Sequence, residues 1–89
     1  MPRMYDNGGM EKNIDWRDYI VSNPKILVGK PTIRGTRLSV EFILGLFAAG
    51  WSLQDILEEY SLSQEQIRAV FGYARALAGE EVIHAIPAS

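Results

Sequence analysis

From residue 38 onward, apolar positions recur with the period of a helix, and the recurrence begins in the same way three times. Leu38-Ser-Val-Glu-Phe-Ile43, Trp51-Ser-Leu-Gln-Asp-Ile56 and Leu62-Ser-Gln-Glu-Gln-Ile67 each place an apolar residue, a serine, and an isoleucine four positions after the serine. A serine just before a helix accepts a hydrogen bond from an otherwise unpaired N–H of the first turn, and the flanking apolar pair packs together as a staple. Each hexapeptide therefore predicts a helix start. Ser63 with Gln66 adds the spacing of a reciprocal capping box, and Asp55 after Ser52 is a weaker version of it. The three serines are unevenly spaced, which points to shared capping rather than to a structural repeat.

The first predicted helix, about 40–49, carries Val40, Ile43, Leu44, Phe47 and Ala48 on a core-facing stripe and ends at Gly50. Phe42, Leu46 and Ala49 form a second apolar stripe, with Glu41 as the only charge, so this helix is expected to be covered on both sides. Either the β-ribbon covers the second stripe or it is an oligomer interface. The second helix, about 53–60, is amphipathic: Leu53, Ile56, Leu57 and Tyr60 face one way, Gln54, Asp55, Glu58 and Glu59 the other. The third, about 64–78, puts Ile67, Val70, Phe71, Ala74, Leu77 and Ala78 on its core face and stops near Gly79. Residues 80–89 read as a C-terminal tail that either prolongs the helix or pairs as an edge strand.

Ahead of the helices the pattern is strand-like. Trp16-Arg-Asp-Tyr-Ile-Val21, Ile26-Leu-Val28 and Thr32-Ile-Arg34 are separated by breaks at Ser22-Asn-Pro-Lys25 and Gly29-Lys-Pro31, and the last is followed by Gly35-Thr36. A lone ribbon is marginal in water, so it should lie on the helices or pair with another chain. Residues 1–13 read as a flexible tail. The expected architecture is mainly α: a short N-terminal β-ribbon followed by a three-helix bundle, one domain over residues 14–79.

Composition agrees with a folded domain: 47% hydrophobic and 22% charged residues is an ordinary globular balance. At 89 residues the chain is too short to divide its apolar surface between two cores. It has no cysteine, which excludes disulfides and thiolate chemistry and fits a reducing cytoplasm. Neither a signal-peptide pattern nor an apolar run long enough to span a membrane is visible, so a cytoplasmic protein is expected. The net charge of −2 hides an asymmetry, with a net +3 over residues 1–37 and −5 over residues 38–89.

That asymmetry directs the search for a site. The second and third helices, joined by a tight turn at Ser61-Leu62, have the spacing of a helix-turn-helix. A DNA-binding reading takes Gln64, Arg68 and Arg75 from the third helix, glutamine suiting adenine and arginine suiting guanine or phosphate. Glu65 opposes it. With few cations on that helix, the reading also needs Lys30, Arg34 and Arg37 from the glycine-rich turn. The competing reading of that turn is structural: glycines for positive φ, Thr36 for a turn hydrogen bond, and cations simply solvated. A stripe of small residues, Ala69, Gly72, Ala76 and Gly79, says that something comes close to the third helix, first of all another part of the fold.

Catalysis finds no support in the sequence. His84 is the only histidine, no residue set has zinc-ligand spacing, and no glycine loop has a nucleotide fingerprint. Glu58-Glu59 and Glu80-Glu81 diverge on a helix and suit solvated faces better than an acid/base pair. Neither a cofactor nor a metal is expected.

Gly29-Lys-Pro-Thr-Ile-Arg-Gly-Thr-Arg37, then Leu38-Ser-Val-Glu-Phe-Ile-Leu44 and Ala49-Gly-Trp-Ser-Leu-Gln-Asp-Ile-Leu-Glu-Glu-Tyr60, closely resemble a bacterial family known as domain of unknown function 433. The resemblance covers about Tyr19 to Leu77. It implies a homeodomain-like helix-turn-helix behind a small β element. It also implies an antitoxin role, since members are described as VapB-like partners of PIN-domain-like ribonuclease toxins that also bind promoter DNA. No family active site exists to carry over. Lys30, Pro31, Gly35, Thr36 and Arg37 match the family block without a role attached. Two positions depart from the pattern: Val28 stands where the first glycine of a Gly-Gly is usual, and Ser61 where proline is common. The resulting expectation is an oligomeric, non-catalytic antitoxin-like protein that binds its toxin and promoter DNA. The alternative is a protein-interaction or oligomerisation module without a DNA role.

Overall fold

The computed structural model describes residues 14–85; the expected tail over residues 1–13 and the last four residues lie outside them. A 3-10 turn at Trp16–Asp18 leads into strand β1, Ile20–Ser22, which pairs antiparallel with β2, Pro31–Ile33. Three helices follow: α1, Val40–Ala48; α2, Leu53–Tyr60; and α3, Gln64–Ala85.

The helices start where the serines place them. Ser39 Oγ accepts from the Phe42 N–H at 2.9 Å and Ser52 Oγ from the Asp55 N–H at 3.1 Å. At α3 the box is reciprocal: Ser63 Oγ accepts from the Gln66 N–H at 3.1 Å while Gln66 Oε1 accepts from the Ser63 N–H at 2.8 Å. The ends are equally specific. Past α1, Gly50 takes φ 103°, its N–H donates to the Phe47 carbonyl, and the Trp51 N–H reaches back to the Leu46 carbonyl, satisfying carbonyls the helix leaves open. Past α2 the left-handed position is Ser61, at φ 56°. Proline, locked near −65°, cannot occupy it, so the departure from the family pattern at Ser61 is a different turn.

Ile20 and Ile33 of the ribbon, Val40 and Ile43 of α1, Ile56 of α2, Leu62 of the turn, and Ile67, Ala69 and Val70 of α3 form one buried cluster. Ile33, Ile43, Ile56 and Val70 are fully buried, each contributing roughly 1.5–3 kcal/mol relative to exposure. The ribbon lies on the helices: β2 packs on α1, β1 and the Trp16–Asp18 turn on α3. Trp16 is the anchor. Its ring meets Tyr73 edge-on at 4.9 Å, and its side chain lies where a Cβ on Gly72 would come within 3.4 Å. The close approach expected at the small-residue stripe is therefore made by the fold itself, and Ala69 of that stripe is a core residue.

Several expectations need correction. Ile26-Leu-Val28 is not a strand; Leu27–Gly29 forms a 3-10 segment in which Leu27, Val28 and Gly29 have φ of 50°, 57° and 80°. Three left-handed residues in a row cannot join a ladder, and apolar, β-branched composition misled the reading. Trp16–Asp18 likewise is a 3-10 turn, capped by Asp15, whose carboxylate accepts from the Arg17 N–H at 3.0 Å. Helix α3 continues through Gly79 to Ala85, so the domain boundary at 79 falls inside a helix. Among residues assigned to the core stripes, Leu53, Phe71 and Leu77 are more than a third exposed and Ala48 and Ala78 are exposed; at Leu77 and Ala78, α3 has run past the short helices that would cover it.

Candidate functional site

The Gly29–Arg37 block is first of all a turn. Gly35 takes φ 81°, the Thr36 N–H and Oγ1 both donate to the Ile33 carbonyl at 3.0 and 2.8 Å, and Thr36 Oγ1 accepts from the Leu38 N–H at 3.0 Å. This hydrogen-bonded corner swings the chain from β2 into α1, with Thr32 bridged to Ser39 across it.

Its cations are used unequally. Lys30 Nζ lies 2.9 Å from Glu41 Oε1 on the first turn of α1, and that ammonium holds the Glu41 carboxyl below its ordinary range by hydrogen bonding and charge. Arg34 is bound into the ribbon: its N–H donates to the Tyr19 carbonyl at 2.7 Å and its Nε to the Asp18 carbonyl at 3.1 Å. Arg37 has no hydrogen-bond or ion-pair partner among the described residues. It borders an open depression of about 430 Å³ together with Leu27, Val28, Lys30, Ser39 and Phe42.

The α3 candidates form a second group. Gln64, Arg68 and Arg75 are exposed, and spacings of four and seven residues put them on one helical stripe. None of the three has a side-chain partner among the described residues. Phe71, 45% exposed, lies in the same stripe and packs on Phe47 of α1 at 5.0 Å between ring centroids. Arg75 also borders a shallow depression with Ile14, Trp16, Gly72, Ala76 and Gly79. Neither depression contains members of both groups.

Of the residues expected at an oligomer interface, Phe42 and Ala49 are exposed, while Leu46 is half-buried against the core. The sequence reading missed two features. Leu27 and Val28 are exposed, Val28 by 92%. Ala49, Gly50 and Trp51 enclose a depression of about 510 Å³ with Asp55, Glu58 and Glu59. The substitution of Val for a usual glycine was the one signal that pointed to the first; the second combines residues from separate patterns. Among the described residues no three potential metal ligands cluster, and no helix is long and apolar enough to cross a membrane.

Comparison with known proteins places these features. The model of the family described as "Protein of unknown function (DUF433)" matches residues 20–74, from β1 into the middle of α3. "Uncharacterized protein y4eO" of Sinorhizobium fredii is 43% identical over 61 residues, which is 67% of this chain; the chain spans 28% of that relative's length. No solved structure matches the chain. With the ribbon, the Gly29–Arg37 corner and all of α1 and α2 inside the matched region, the chain belongs to the DUF433 family.

Proposed function

We propose that this chain is a non-catalytic, cytoplasmic binding protein of the antitoxin type, which contacts promoter DNA through α2, the Ser61 turn and α3, and holds a PIN-like ribonuclease toxin by protein contact. The observation that carries the DNA half is the α3 stripe. Gln64, Arg68 and Arg75 stand exposed in line, without side-chain partners among the described residues, on the helix that follows the tight turn. Arginines on such a stripe suit phosphate and guanine, and Gln64 at its start suits a base edge. Arg37 is the ribbon cation best able to assist, since Lys30 and Arg34 have work in the fold. The toxin half rests on the family resemblance of the Gly29–Arg37 block.

A mobility-shift titration on the chain's own upstream region tests the DNA half. Preference over random DNA, with affinity falling as salt rises, is expected; equal binding to both DNAs contradicts it. Co-expression with the product of the neighbouring gene tests the toxin half, which predicts a complex lacking ribonuclease activity.

A second reading is favoured by two observations. Phe71 is exposed in the middle of the α3 stripe and the outer side of α2 is acidic, which suits a protein partner better than a phosphate backbone. In that reading the chain is an interaction module alone, and a partner complex would be indifferent to nuclease and to Arg68→Ala or Arg75→Ala.

A further inference from the structure

We infer that the surface running from the Leu27–Gly29 turn across Phe42, Tyr60 and Trp51 to the acidic end of α2 is a two-fold interface with a second copy of this chain. The surface is continuous. Phe42, at the edge of the basic depression, meets the Tyr60 ring edge-on at 5.6 Å. Tyr60 is 6.2 Å from Trp51, which borders the acidic depression. One end thus carries Arg37, without a partner among the described residues, and Lys30, paired with Glu41, beside exposed Leu27 and Val28; the other carries Asp55, Glu58 and Glu59 beside Trp51, with aromatic rings between.

That layout is self-complementary. A two-fold axis through the aromatic middle puts each copy's basic end on the other's acidic end, as an isologous interface requires. An acidic peptide would satisfy only the first end and a basic one only the second; a second copy satisfies both. Val28 adds an independent sign. A β-branched residue at φ 57° is strained, and at 92% exposure it gains no burial from the described residues in return. Covering by another copy supplies that burial. The interface contains none of Gln64, Arg68 and Arg75; it does take in Arg37, which in the dimer faces the second copy's carboxylates instead of a phosphate, so the mass measured without DNA tests the interface while the α3 arginines test the DNA reading.

The experiment is the mass of the full chain in solution by light scattering, without DNA. A dimer is expected, loosened by salt. Arg37→Glu and the pair Glu58→Arg/Glu59→Arg, all at exposed positions, should each raise the dimer dissociation constant at least about tenfold, because like charges then meet at both ends of the interface. Mixing the two variants in equal amounts should restore association as a closed heterodimer, since each basic end again finds an acidic one. Val28→Gly should move two readouts in opposite directions, raising the melting temperature of dilute monomer while weakening the dimer. Should a reversal unfold the chain, Arg37→Ala reports the same loss more mildly. A wild-type monomer at the highest soluble concentration, charge reversals without effect, a mixture that stays monomeric, or open-ended oligomers would each overturn the inference.

Discussion

The β-ribbon and the third helix both display cations, in opposite circumstances. Lys30 is paired with Glu41, and Arg34 donates through Nε to the Asp18 carbonyl beside the Trp16 anchor. Arg68 and Arg75 are exposed on α3 and have no such partner among the described residues. A phosphate approaching Lys30 or Arg34 would have to compete with a carboxylate or a backbone carbonyl already in place; on α3, as at Arg37, it would compete with water. Availability of a cation is decided by what it already touches, which local charge density, higher at the ribbon, does not report.

The contrast can be broken by loosening the ribbon. Ile33→Ala removes a fully buried side chain from β2 and should destabilise the domain by about 3 kcal/mol in urea unfolding. A loss below about 1 kcal/mol would mean that the ribbon is not part of the core and that its cations are not held by the fold.

The contact between the regions gives the next largest effect. Gly72→Leu should push Trp16 off α3 at a loss of about 2 kcal/mol. Gly72→Ala, whose Cβ would meet Trp16 at 3.4 Å, should be neutral or stabilising by up to about 1 kcal/mol, because alanine favours the helix. Equal thermal shifts for the two variants would show that Trp16 is not what Gly72 accommodates.

At the head of α3 the capping box positions Gln64 and Arg68. Ser63→Ala should lower stability by about 1 kcal/mol and leave the ribbon's ion pair untouched.

The smallest effect is electrostatic. Glu41 is held below the ordinary carboxylate range by Lys30, and Asp15 by the Arg17 N–H and guanidinium. A depressed carboxylate contributes stability above its unfolded-state pKa, and that contribution is lost as pH falls through the lowered folded value. Thermal melts from neutral to acid pH should show a slightly steeper loss for wild type than for Lys30→Ala. A steeper loss in the variant would contradict the pairing.

Much of this fold was legible because capping chemistry is local. Ser39, Ser52 and Ser63 announce their helices through bonds made within three residues, and α1 and α2 fall within one residue of the expected limits. What was not legible depends on partners distant in sequence or on backbone states that composition hides. Ile26-Leu-Val28 has strand composition, yet Leu27 and Val28 take left-handed geometry; only the unusual Val28 hinted at it. Trp16 over Gly72 spans most of the domain. The candidate residues themselves were readable by type, but nothing local separates Arg34, bonded sixteen residues away at Asp18, from Arg68.

The most direct measurement is the slope of DNA affinity against salt for the wild type, Arg68→Ala/Arg75→Ala and Lys30→Gln on the chain's own upstream region. The account predicts that the double variant loses about two units of slope, near 0.9 per phosphate contact, while Lys30→Gln keeps the wild-type slope. A full slope in the double variant, or a loss in Lys30→Gln alone, would contradict it.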